Sequence, residues 1–357
     1  MSTALTTMDN RHPMLRYLDE VTSSGNPDDE CLDVSFMSRS FCLSGLPLRK
    51  QFEREKGSRK TAEPQREINV FSRNDERFSL TIGTQPVVLP GGEHLSVGLP
   101  YGAKARLLIL WMTTQARANV SGDRWLEIGR IDPWLTEVGI TPHPDAVTMT
   151  KEQFVRLTFA TFTMVLRKEG LDFFRSDRLT EAAVFQEDDL HHYADGNLAK
   201  VRFPLGVELS EKAYRRFTSP DVIPVATEAL RKISSSAMAI DILLYLSYRL
   251  PLIGKGDSEL LSWKKLITQF GNGEPRSKFR QVFEASIGKA LDAYQGAYVD
   301  VTEEGLVLRY SDPAVVRKMF AVGTKKAASP LQRRRARNRI IVPSRTDGDN
   351  QLNMELG

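Results

Sequence analysis

Cysteine is nearly absent: Cys31 and Cys42 are the only two in 357 residues. Two thiols cannot build a disulfide framework or a four-cysteine zinc site. No stretch of the sequence holds the roughly 18 apolar residues in a row that a membrane-spanning helix needs. The first ten residues, Met1 to Asn10, form no basic, apolar leader, so no signal peptide is expected. These absences predict a soluble, reduced, cytoplasmic chain without a membrane partner. The hydrophobic share, 41%, lies near the low edge of globular usage, so disordered segments are expected as well.

Signatures of catalysis are also missing. There is no Gly-x-x-x-x-Gly-Lys-Ser/Thr phosphate loop, and Gly91-Gly92 lacks the lysine and helix start that would make one. Of the five histidines, only His191-His192-Tyr193, among Asp188, Asp189 and Asp195, is dense enough to suggest a divalent metal. A nicking enzyme would need paired histidines flanking an apolar residue and a tyrosine on a helix. Here the histidines are adjacent, and the segment reads as a polar loop between strands. The sequence therefore predicts no enzyme activity, no cofactor and no metal, with a metal-dependent nicking enzyme at His191 and His192 as the weakest alternative.

What is present is uneven charge. The net charge of +4 says little, but residues 1–45 carry −4, residues 46–67 carry +3 and residues 313–357 carry +7. The last segment contains Arg333, Arg334, Arg335, Arg337 and Arg339. Like-charge runs of this kind are usually disordered and often bind nucleic acid. Tight apolar patterning is confined to about 68–312. The expected divisions are an acidic extension over 1–45, a basic linker over 46–67, domains over 68–220 and 221–312, and a disordered basic tail over 313–357.

Within 68–312 the pattern runs twice. Gly102-Ala103-Lys104-Ala105 and Ser236-Ala237-Met238-Ala239 each open an apolar helix. Residues 133–139 and 265–271 each read as a short helix closed by a glycine able to adopt the left-handed conformation. Phe154, Leu157, Thr161 and Val165 on one side, and Phe279, Val282, Ser286 and Ala290 on the other, mark two third helices, 151–168 and 275–291. Thr150 and Gln153 suggest a capping box for the first. Strand signals follow each: Leu179 to Phe185 and Lys200 to Leu209 in the first copy, and a hairpin around Glu304-Gly305 in the second. Strands before the first copy are expected within Phe71 to Val88. Helix, short helix, helix, hairpin is the order of a winged helix. The predicted fold class is α+β: two tandem winged-helix domains, mostly helical with short β-hairpin wings.

In such a unit the third helix lies in the major groove. In helix 275–291 the apolar positions gather on one face. Ser277, Lys278, Gln281 and Lys289 point the other way, beside small Ala285 and Gly288, and Arg276 and Arg280 flank the N-terminus. Gln can bridge adenine N6 and N7, and Arg or Lys can reach guanine O6 and N7. In helix 151–168 the outward candidates are Arg156, Thr163 and Arg167. Glu303-Glu304 at the wing tip would repel phosphate, so that tip is not expected to press on the backbone.

Several stretches together resemble plasmid-encoded RepA-type replication initiators. They are Leu99-Pro100-Tyr101-Gly102-Ala103-Lys104-Ala105-Arg106-Leu107, the run from Ala237 to Pro251, Ser262-Trp263 ahead of Phe270-Gly271, Phe279-Arg280, and Val299 to Leu306. The resemblance covers about 46–312. It implies a theta-type initiator that binds repeated double-stranded origin sites (iterons). It also implies opening of an A·T-rich stretch, recruitment of host initiator or helicase-loading proteins, and a possible homodimer. A transcriptional repressor on the same scaffold is the alternative that the residues alone leave open.

The arginine tail has no fixed scaffold from which to read bases, and phosphate contacts carry no sequence information directly. Deleting 325–345 should weaken binding to every duplex alike and flatten the dependence of affinity on salt. Fluorescence anisotropy on cognate and scrambled duplexes over a salt series checks this.

Overall fold

The computed structural model describes residues 34–53, 66–75, 78–119, 122–129 and 131–312. The tail, with Arg333, Arg334, Arg335, Arg337 and Arg339, lies outside the described residues, as do 1–33 and 54–65. The described residues form ten α-helices and several small sheets, a mixed α and β fold.

Two units share one order of elements. In the first, α2 (Gly102–Ala118) leads to β6 (Trp125–Glu127), α3 (Ile131–Glu137) and α4 (Pro144–Phe159), then β9 (Thr180–Val184) and β10 (Gly206–Leu209). In the second, α8 (Ala237–Arg249) leads to β12 (Ser258–Ser262), α9 (Trp263–Phe270) and α10 (Arg276–Ala293), then β13 (Val299–Val301) and β14 (Gly305–Arg309). Each unit closes an antiparallel three-stranded sheet with its last strand in the middle, β6-β10-β9 and β12-β14-β13. The helix starts follow from local chemistry. Ser236 Oγ accepts from Ala239 N, and Ser262 Oγ accepts from Lys265 N, which satisfies N–H groups that a first turn leaves without partners.

The first unit carries two insertions. One is a hairpin, β7 (Thr161–Lys168) and β8 (Leu171–Arg178), which joins β2 (Val70–Asn74) and β3 (Phe78–Gly83) in a sheet of order β2-β3-β7-β8. The other is the short helix α5 (Asp189–Ala194) between β9 and β10. Helix 151–168 is therefore corrected: α4 ends at Phe159, and residues 161–168 are strand. Thr161, Thr163 and Val165 are β-branched, and their register against β3 and β8 decides against the helix. Thr150 is not a cap either. His143 caps α4 by accepting from Ala146 N, with Pro144 in the first turn, and the Thr150 hydroxyl donates to Ala146 O inside the helix. Of the two closing glycines, Gly139 has φ +79°. Gly271 has φ −67° and continues as extended chain.

The N-terminal segment also differs from a separate extension. Strand β1 (Val34–Ser38) pairs antiparallel with β11 (Val222–Ala226), the buried strand that precedes α7 (Thr227–Ile233) and the second unit. Met37, Phe41, Cys42 and Leu46 are buried in the main core, Phe41 and Cys42 on α1 (Arg39–Leu43). Apolar Val34, Phe36 and Met37 on a strand beside α2, and a short helical turn placed against α8, account for this. An acidic average over 45 residues hid a strand.

One hydrophobic core runs through both units. At its centre Arg106 on α2 meets Asp241 on α8, both nearly inaccessible. Arg106 Nε donates to Asp241 Oδ1 at 2.6 Å and Nη2 to Oδ2 at 2.7 Å. Its remaining N–H groups go to the carbonyls of Leu46, Pro47 and Gly102. A Cβ on Gly45 would come within 2.1 Å of Asp241 Oδ2, so the chain can pass there only as glycine.

Removing one partner of a buried ion pair leaves an uncompensated charge and costs about 3–5 kcal/mol. Arg106→Met should lose that much in urea denaturation, with both units unfolding in one transition. The double variant Arg106→Met/Asp241→Leu should recover part of the loss, since no charge then remains buried.

Candidate nucleic-acid interface

Helix α10 is held by its apolar face. Phe279, Phe283, Ile287 and Ala290 are buried. The Phe283 ring meets Trp263, Phe270 and Phe279 with centroids 5.8, 5.6 and 5.4 Å away. The opposite face is open. Arg276, Ser277, Lys278, Gln281, Ala285, Gly288 and Lys289 are all exposed. A Cβ added to Gly288 would meet nothing within 4 Å, so packing places no demand on that position. Val282, assigned from the sequence to the buried face, is 42% exposed and sits beside Gln281 and Ala285 on the open one.

Arg280 is placed differently from its neighbours. Its guanidinium lies 4.9 Å from the centroid of the Trp263 ring and donates to Glu284 and to Glu303 at the tip of the β13–β14 hairpin. Those two hydrogen bonds, Glu303's first, raise the Arg280 pKa, and the same contact lowers that of Glu303. Arg280 thus ties the hairpin to α10 rather than standing clear with Lys278 and Gln281. The acid at the hairpin tip is already countered by this cation.

Among the described residues the first unit offers no matching surface. Arg156 is not outward but buried. It donates to Glu152 at 3.1 Å and to Leu99 O at 2.9 Å, and it also pairs with Glu67. Burial opposes its charge, but the Glu67 and Glu152 carboxylates outweigh that and raise its pKa. Along α4, residues 152–158 are all buried. A second apolar cluster covers them, in which Leu89, Leu95, Val97, Tyr193 and Val201 gather with Val155. Phe159 stacks on Phe185 above it, the ring centroids 6.3 Å apart. Thr163 and Arg167, expected on a helix face, lie on β7. Thr163 Oγ1 bonds Ser176 Oγ at 3.0 Å, and Arg167 Nε donates to Asp172 at 2.8 Å. No periodicity in α4 signals the cover, because it comes from residues 89–97 and 193–201, both far from Val155 in the chain.

The histidine pair sits on helix α5, not in a loop. His191 Nδ1 is 3.1 Å from Glu93 Oε2. Asp189 is buried and accepts from Arg202 and from the Gln186 N–H. Among the described residues no three His, Cys, Asp or Glu side chains gather as a metal would require. No helix among them is long and apolar enough to cross a membrane.

Residues 99–265 match the family model described as plasmid encoded RepA protein, so the resemblance carried by the boxes at Leu99 and Ala237 is shown over that segment. The match ends at Lys265, in α9 and ahead of α10. No curated protein matches the chain. Among solved structures, crystals of domains 2 and 3 of RctB are similar at 10% identity. The selenomethionine form covers 68% of this chain and 91% of its own with a TM-score of 0.43. A second crystal structure covers 70% and 93% with a TM-score of 0.40.

Adjacent residues on α10 should respond very differently to truncation. Phe283→Ala removes a ring from the middle of the aromatic cluster and should cost about 3–5 kcal/mol. Val282→Ala should change the urea midpoint hardly at all. Equal losses would show that α10 is not seated as described.

Proposed function

We propose that the chain is a plasmid replication initiator that binds origin DNA through α10. Each helix–strand–helix–helix–strand–strand unit is, in this reading, a winged helix, with β9–β10 and β13–β14 as the wings. In that fold the third helix enters the major groove with a few side chains reaching base edges. The open face of α10 carries the reading: Lys278 and Gln281, one turn apart and exposed, offer the donors and acceptor that groove edges require. Exposed Ala285 and Gly288 let the helix approach closely, and Val282 can meet a thymine methyl. Arg276, Ser277 and Lys289 supply phosphate contacts. The family match over 99–265 supports the replication role. Repeated sites, opening of an A·T-rich stretch and recruitment of host replication proteins belong to the same proposal, as does action without strand cleavage. The first unit, with α4 covered, serves as a platform rather than a second reader.

The test is footprinting and gel shifts on origin DNA of the parent plasmid. Lys278→Ala and Gln281→Ala should each cost about 1–3 kcal/mol at the cognate site, the loss of one bidentate base contact. Binding to random duplexes should change far less, and circular dichroism should stay unchanged. Folded variants that keep full discrimination would remove α10 as the reader. Protection of a lone promoter operator in place of repeats would favour a repressor. Nicking of supercoiled origin DNA in the presence of a divalent ion would refute action without cleavage.

A further inference from the structure

Two contacts on α9 and α10 seat the Arg280 guanidinium. It lies 4.9 Å from the centroid of the Trp263 ring, and its Nε donates to Glu284 Oε1, one turn along α10, at 2.7 Å. Ring and carboxylate fix the plane of the group and leave its outer edge to a third partner. That edge is taken by Glu303: Nη1 donates to Oε2 at 3.0 Å and Nη2 to Oε1 at 3.4 Å. Two N–H groups facing two oxygens is also the geometry by which arginine holds a phosphate.

The hairpin that brings Glu303 there has anchors besides this contact. Trp263 N donates to Glu304 O, and Trp263 Nε1 donates to Thr302 O. Thr302 and Gly305 close the turn, with Thr302 N and Oγ1 both donating to Gly305 O. The Glu303 side chain is 90% exposed, and that of Arg280 34%. Glu303 can therefore swing into water by side-chain rotation alone, while hairpin and guanidinium stay in place. Exposed ion pairs contribute little to stability, so the swing costs little.

We infer that Glu303 is an internal competitor for a phosphate site: its carboxylate occupies the outer edge of Arg280 in the free protein, and a backbone phosphate of bound DNA takes its place. This rests on the reading of α10 as the helix that meets DNA. Arg280 stands at the border of the buried and open faces of α10, one residue before Gln281 and two after Lys278. In protein–DNA complexes, contacts to the phosphates fix the register of those to the bases. Glu303 thus sets how tightly any duplex is held, because binding first displaces it. Neighbouring Glu304 has the same charge and is also exposed, but among the described residues it makes no ion pair.

The experiment is fluorescence anisotropy of the full chain on origin and random duplexes over a salt series. The variants are Glu303→Gln, Glu304→Gln, Arg280→Gln and Arg280→Gln/Glu303→Gln, with Lys278→Ala alongside. Glu303→Gln should keep the wild-type melting curve and bind both duplexes about two- to fivefold tighter, the worth of one exposed pair. Glu304→Gln should gain clearly less. Arg280→Gln should weaken both complexes and flatten the slope of log affinity against log salt by about 0.9, one phosphate contact. In its background the Glu303→Gln gain should shrink to that of Glu304→Gln. Equal gains for Glu303→Gln and Glu304→Gln in the wild-type background would overturn the inference, as would an unchanged slope in Arg280→Gln. If Lys278→Ala still loses discrimination in that event, only the competitor falls. If Lys278→Ala also keeps full discrimination, α10 is not on the DNA and both readings fall.

Discussion

The bidentate pair of Arg106 and Asp241 is the contact on which the rest of the molecule depends. A guanidinium has five N–H groups and no acceptor. Here all five have partners: the Asp241 carboxylate and three carbonyls, two of them from Leu46 and Pro47. One side chain thus joins the first helix of each unit and anchors the strand and turn that precede them. Burial makes this arrangement all-or-nothing, because any lost partner leaves a charged or polar group without water. Arg73 adds to the same region by donating to Gln269 O and Leu46 O. Burial lowers its pKa to about 10.

That clamp also explains what two of the sequence boxes are for. Arg106 closes the Gly-Ala-Lys-Ala-Arg run, and Asp241 is the acid in the Ala-Met-Ala-Ile-Asp run. Read as sequence, they are two polar residues in two apolar helices. In the fold they are each other's partner, and the small residues around them let α2 and α8 approach. The boxes describe how two units are held together, and the open face proposed to meet DNA lies farther along the chain, on α10.

The two units differ in what they leave open. In the second, α10 is packed on one face only, and the short hairpin beside it is tied down by Arg280 and Glu303. In the first, the insertion between β9 and β10 folds back with the small β4–β5 hairpin, Val87–Val88 and His94–Leu95, and covers α4. Arg156 then becomes an internal cation that holds the incoming chain at Glu67. The third helix is open on one face in the second unit and covered in the first, while the β7–β8 hairpin places apolar surface on the outside.

By itself the sequence determined the elements whose signals are local. Helices 102–118 and 237–249 were readable from apolar spacing, and the open face of α10 from which positions 3.6-residue periodicity leaves polar. Strands β9 and β10 and the β13–β14 hairpin were legible from alternation, whereas β7 read as helix and β8 gave no strand signal. Tertiary structure alone decided what depends on segments distant in the chain. Residues 161–168 satisfy both a helical and an extended pattern, and pairing with β3 and β8 selects the strand. Val34 to Ser38 become a core strand only because β11 lies beside them. Arg156 and Arg167 read alike as outward cations, yet one is buried against Glu67 and the other meets Asp172 across a hairpin. Periodicity records which side of an element is apolar; which neighbour arrives to cover it, or fails to, is a property of the assembled chain.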